Sequence, residues 1–161
     1  MTAKPTREFR IAGACWTVQF SGEAAAVMNS HRQYGWHQKE TVGQLFCPDL
    51  TSPAICITEA TVLTRVKASR TSVSFDPDEA EQQRISRLGE GLYCVGLWHT
   101  HAAGTPSPSR TDENLAADHA LTAQSVLNGL CFVIVGTAAS ETGWYVSVHD
   151  GQNFHVAQPV E

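Results

Sequence analysis

The apolar run Leu92-Tyr93-Cys94-Val95-Gly96-Leu97 has the length and content of a buried strand, and it leads into Trp98-His99-Thr100-His101. A strand alternates its faces, so His99 and His101 point the same way and Thr100 points opposite. Two imidazoles on one face can chelate one metal ion. A loop rich in Gly, Pro and Ser then turns the chain back, and Ser109 and Asp112 stand where a helix should begin. This stretch therefore calls for a strand, a loop and a helix in that order, with candidate metal-binding side chains at both ends of the loop; the other reading of His99 and His101 is ordinary polar residues at a strand end.

Zinc chemistry accounts for the residue types. A catalytic zinc takes three protein ligands and keeps a fourth position open for water. His99, His101 and Asp112 supply two neutral imidazoles and one carboxylate. That leaves about one positive charge, enough to bring the pKa of bound water towards ~7. A base must take the proton. Glu40, in Glu40-Thr41-Val42-Gly43-Gln44-Leu45-Phe46, stands between a helical stretch and a strand and is the candidate. Only the fold can bring it to the metal. Ser109-Arg110-Thr111-Asp112 also reads as a capping box. The two roles are compatible, since a hydroxyl can accept at the cap and donate elsewhere.

Glu40 together with His99-x-His101, seven residues, Ser109, two residues and Asp112 resembles the signature of the JAB/JAMM (MPN, Mov34/PAD-1-like) zinc metalloproteases, prokaryotic branch. The likeness runs from Glu40 to about Val135. It departs from the family pattern at Ala102, where a proline often stands, and at Val42-Gly43, where two glycines often follow the glutamate. Neither departure replaces a ligand or the base.

The resemblance implies an α/β fold: a three-layer sandwich with a mixed, partly antiparallel β-sheet flanked by helices, similar to cytidine deaminases. It implies one Zn2+ per chain on His99, His101 and Asp112, with Glu40 as general base and acid and Ser109 as hydrogen-bond donor to the oxyanion. The implied activity is that of an isopeptidase, deubiquitinase-like, acting on an extended C-terminal tail. The chain resembles the deconjugating proteases of bacterial antiphage operons of the CBASS type, which work beside E1- and E2-like enzymes. There the conjugate is a ubiquitin-like protein or a cGAS-like nucleotidyltransferase. Sulfur-carrier processing, a RadC-like role and a catalytically silent scaffold are the alternatives. Residues 61–72 correspond roughly to the ubiquitin-contacting insertion of the isopeptidases. There Arg65, Lys67 and Arg70 are candidate substrate contacts, with a plain solvated loop as the other reading.

The remaining composition narrows the class. A chain of 161 residues suits a single domain over residues 1–161, and 42% hydrophobic against 17% charged residues is a globular balance. A net charge of −5 without any run of Lys or Arg argues against nucleic acid as a partner. No apolar segment approaches the roughly twenty residues of a membrane span, and no signal-peptide core follows Lys4 and Arg7. Five cysteines without a C-x-x-C pair suggest buried free thiols and a cytoplasmic protein.

Along the chain, short strands are expected at Phe9–Ile11 and Cys15–Phe20, and a helix from Gly22 to Tyr34 closed by Gly35. Strands follow at Val42–Cys47, Ala54–Ile57 and Ser72–Phe75. Pro77 opens a helix that runs to about Leu88, and a helix after Ser109 runs to about Leu127. Leu130–Val135 reads as a central strand, and Asp150-Gly151 as the turn of a closing hairpin, with His149 as a turn residue. His31 is expected to be packed or solvated and not a ligand, His37 to lie in a surface loop, and His119 to stand too far along its helix to reach the metal.

Overall fold

The computed structural model describes residues 7–123, 127–139 and 141–161. The strands are β1 (Arg7–Ile11), β2 (Thr17–Phe20), β3 (Val42–Cys47), β4 (Ala54–Ile57), β5 (Glu59–Ala60), β6 (Val66–Ala68), β7 (Val73–Phe75), β8 (Tyr93–Thr100), β9 (Leu130–Val135), β10 (Trp144–His149) and β11 (Phe154–Pro159). The helices are α1 (Gly22–Ser30), α2 (Pro77–Gly89) and α3 (Arg110–Ala123). No helix among the described residues is long and apolar enough to cross a membrane.

Nine strands form one mixed, mostly antiparallel sheet in the order β4-β2-β1-β11-β10-β9-β8-β3-β5, while β6 and β7 form a separate hairpin. Only β2–β4 and β8–β9 run parallel in the large sheet. Its first and last strands are two halves of one segment. Residues 54–57 pair with β2, residues 59–60 pair with β3, and between them the Thr58 N–H donates to Phe46 O at 3.0 Å. The sheet therefore curls round and meets itself. The two terminal strands thus lie on one continuous segment, each paired on one side only.

One face of the sheet holds the main core. Ala24, Ala25 and Met28 of α1 pack with Phe9, Phe20, Leu45, Trp98, Val133 and Trp144. Phe20 meets Trp144 edge-on at 5.1 Å, and Phe9 stacks on Trp144 at 6.3 Å. Alternation along β3 and β8 sends Val42, Gln44, Leu97 and His99 to the opposite face. There α2 contacts β8, α3 contacts β9 and β10, and Ala80 of α2 joins Val42 and Leu63 in a second apolar cluster.

Two local rules of the sequence hold the helices. Ser21 caps α1 by accepting from the Ala24 N–H at 3.1 Å, and Asp76 caps α2 by accepting from the Asp78 N–H at 3.0 Å. The first helix stops at Ser30, four residues short of the expectation, because the following Arg32 and Gln33 turn inward and are buried. Residues 61–72 are better ordered than a plain loop, since Val66–Ala68 pairs with Val73–Phe75. The expected end of α3 near Leu127 lies partly outside the described residues.

Candidate metal centre

β8 ends at Thr100, and the chain leaves it still anchored: the His101 N–H donates to Val135 O at 3.0 Å. The loop beyond is stitched to the turn after β9 by Thr137 N–H to Ala103 O and Ala138 N–H to Gly104 O. Gly136 lies under this loop, where a Cβ would collide with the carbonyls of Ala103 and Gly104. The loop delivers Ser109 and Asp112 to the start of α3. They form the capping box read from the sequence: the Ser109 N–H donates to Asp112 Oδ2 at 2.8 Å, and the Asp112 N–H donates to Ser109 Oγ at 3.1 Å. The cap thus fixes the carboxylate against the strand end.

His99, His101 and Asp112 converge, each offering one ligand atom within 4.8 Å of the others. The two Nε2 atoms are 3.1 Å apart, His99 Nε2 is 3.3 Å from Asp112 Oδ1, and His101 Nε2 is 3.1 Å from Asp112 Oδ2. Bonds of about 2.0–2.1 Å in a tetrahedral site put neighbouring ligand atoms about 3.3 Å apart. The spacing and the N/N/O donor set therefore fit a zinc ion.

Glu40 lies just outside this triad. Its Oε1 is 3.7 Å from His101 Nε2, and the residue is only 5% exposed. Burial pushes its carboxyl from an ordinary 4.5 up to about 7; His101 pulls it down and Asp112 adds to the rise. A carboxylate so placed suits proton transfer near neutrality. Burial would also raise Asp112. Hydrogen bonds from His101, His99 and the Ser109 N–H outweigh it and hold that carboxyl far below the usual range. For His101 burial acts downward, and its bond to Asp112 prevails and raises it.

The other sequence candidates fall into place around these four residues. Ser109 is exposed at the helix cap, its hydroxyl oxygen accepting from the Asp112 N–H and its proton left to donate. Arg65 pairs with Asp76 at 3.3 Å and approaches Glu79 at 4.0 Å, so its charge is already engaged. Arg70 stacks over the Trp36 ring at 4.7 Å and donates to the carbonyls of Gly35 and Trp36. Lys67 is exposed on β6. His31 packs against Trp98 at 5.9 Å, His37 is exposed, and His119 stacks on Phe75 away from the triad. His149 is not a surface turn residue. It is 3% exposed, lies against Phe154 at 4.7 Å and accepts from the Gly151 N–H. All five cysteines are free; Cys47 and Cys131 are buried, and Cys15 is exposed.

Sequence reasoning missed Gln33 and the part played by Thr100. Gln33 is 2% exposed behind the metal site, and its side chain joins Thr100 to the segment that carries Glu40. A glutamine at the end of an apparent helix gives no signal of this kind. Its partners are distant in sequence.

Comparison with known proteins agrees with this architecture. No curated protein matches significantly. A solution structure of protein DSY2949 from Desulfitobacterium hafniense is similar with a TM-score of 0.61 and 18% identity, covering 89% of this chain and 90% of that one, which supports the fold. The family model described as prokaryotic homologs of the JAB domain matches residues 23–148, a span that includes Glu40, both histidines, Ser109 and Asp112. The chain belongs to the prokaryotic homologues of the JAB domain.

Proposed function

We propose that this protein is a zinc-dependent metallopeptidase that hydrolyses an amide or isopeptide bond at the C-terminal tail of a conjugated protein. The observation that carries the reading is the convergence of His99, His101 and Asp112 with a buried Glu40 poised 3.7 Å from the nearer imidazole. When bound by the triad, zinc supplies Lewis acidity and lowers the pKa of water. Glu40 takes the proton of the attacking water and returns it to the leaving amine. Ser109 donates its hydroxyl proton in a hydrogen bond to the oxygen that gains charge. Asp112 would complete the ligand set with His99 and His101, its own geometry held by the helix cap.

The substrate is assigned from the family resemblance: a ubiquitin-like protein, or a nucleotidyltransferase joined through its C-terminus to a target, in a bacterial antiphage operon with E1- and E2-like enzymes. The hairpin β6–β7 supports an extended tail as the ligand. It is a sheet of its own beside Glu40, whose N–H donates to Ser69 O at 2.8 Å. Extended peptides bind such edges through main-chain hydrogen bonds.

The test combines metal analysis with cleavage. Wild type should hold one zinc, and His99→Ala should lose it; full occupancy in that variant contradicts the ligand set. Zinc-loaded protein should release a fusion ending in the neighbouring operon partner's tail faster than it cleaves Lys-linked diubiquitin. Equal rates contradict a dedicated substrate. Cleavage of neither by the zinc-loaded protein assigns it to the silent scaffolds.

A further inference from the structure

Three stretches of backbone meet behind the metal centre, and one side chain ties them together. Gln33 Nε2 donates to Gln38 O at 3.2 Å and to Arg70 O at 3.1 Å, and Gln33 Oε1 accepts from Thr100 Oγ1 at 2.9 Å. Thr100 Oγ1 in turn accepts from the Thr41 N–H at 2.9 Å, and the Thr100 N–H donates to Thr41 O at 3.0 Å. The reversed amide would set Oε1 against two carbonyl oxygens, so these bonds also fix which way the amide points.

The partners of Gln33 define its job. Gln38 is two residues before Glu40. Arg70 follows Ser69, whose carbonyl accepts from the Glu40 N–H. Thr100 separates the two imidazole ligands in sequence and faces the other side of β8. A single buried amide thereby couples the segment bearing the base to the strand bearing two metal ligands. Glu40 itself has no ordered helix or strand beneath it, since β3 starts at Val42 and α1 ends at Ser30. We infer that Gln33, acting through Thr100, is the positioning residue that sets the Glu40 carboxylate at its distance from His101. This rests on the metallopeptidase reading for its catalytic consequence, and on geometry alone for its structural one.

The experiment uses Gln33→Met, which keeps the length of the side chain and removes its hydrogen bonds. Amide hydrogen exchange at Glu40 and Thr41 in the zinc-loaded protein should speed up at least about tenfold, with zinc content unchanged. Turnover of the tail fusion should fall roughly 10²-fold in kcat with KM within about twofold, the scale of an ångström-sized misplacement of a catalytic group. If Gln33→Met fails to fold, Thr100→Val breaks the same network from the other side and should give the same pattern. Unchanged exchange at Glu40 and Thr41 overturns the inference. So does a kcat loss that comes with lost zinc, because the amide would then support the ligands and not the base. If wild type cleaves nothing, the peptidase reading fails, and the exchange measurement still decides the role of Gln33.

Discussion

Glu40→Gln should stabilise the metal-free protein at alkaline pH and leave it nearly unchanged in acid. The carboxyl is buried in the fold and protonates at about 7, against an ordinary 4.5. Between those values the folded state holds a proton that the unfolded chain has released. Stability is therefore lost as pH rises through the window from about 4.5 to about 7, the opposite of the usual carboxylate. At about 1.4 kcal/mol per tenfold, the full cost at pH 8 is roughly 3 kcal/mol, and at pH 5 it is under about 1 kcal/mol. Glutamine has the same shape and carries no charge, so it escapes that cost. The assay is urea unfolding of both proteins in chelator at pH 5 and pH 8, read as the difference in unfolding free energy. The variant should gain about 2–3 kcal/mol relative to wild type on moving from pH 5 to pH 8. A difference that does not change with pH, or a variant less stable than wild type at pH 8, refutes the argument that burial dominates at Glu40.

Ser109→Ala should cost about 1 kcal/mol through loss of the α3 cap, and roughly 10²–10³-fold in kcat through loss of the oxyanion donor. Thermal unfolding and turnover separate the two, and a kcat loss under tenfold leaves Ser109 as a cap alone. Gly43→Ala should destabilise by about 3 kcal/mol or more, because a Cβ there would strike the Thr61 carbonyl and lie 2.5 Å from Trp98 Nε1, breaking the 2.8 Å bond between them. Urea midpoints measure this, and a loss below about 1 kcal/mol would mean that β3 and β5 separate more easily than their packing suggests.

The metal triad was legible because its chemistry is local. His99 and His101 are placed by strand alternation, and Asp112 by the capping box that starts at Ser109. The strands Val42–Cys47 and Leu130–Val135 fall where continuous apolar runs put them. Legibility fails where a residue's environment is set by distant chain. The helical pattern through Tyr34 was overridden at Ser30, since Gln33 is drawn into hydrogen bonds with Thr100 and Arg70. Arg65 and Arg70 stand in the sequence as candidate substrate contacts or members of a solvated loop, and in the fold Arg65 pairs with Asp76 while Arg70 stacks on Trp36. Nothing near His149 announces that Phe154 will cover it.

The strand order of the sheet sets a timetable for the chain's synthesis. β1 pairs with β11, which is made much later in the chain, at Phe9 opposite Pro159. Until β11 has left the ribosome, β1 and β10 each lack a neighbour, and the apolar face of α1 has an unfinished wall behind it. Pairing of such sequence-distant strands is slow, and open edges invite association with other nascent chains in the meantime. The strand β8, which carries His99, and its neighbours β3 and β9 are made before that point. A nascent chain can therefore bring His99 and His101 to the end of β8 while the far side of the sheet is still open, and a metal ion held there with Asp112 would fasten that half of the sheet during assembly.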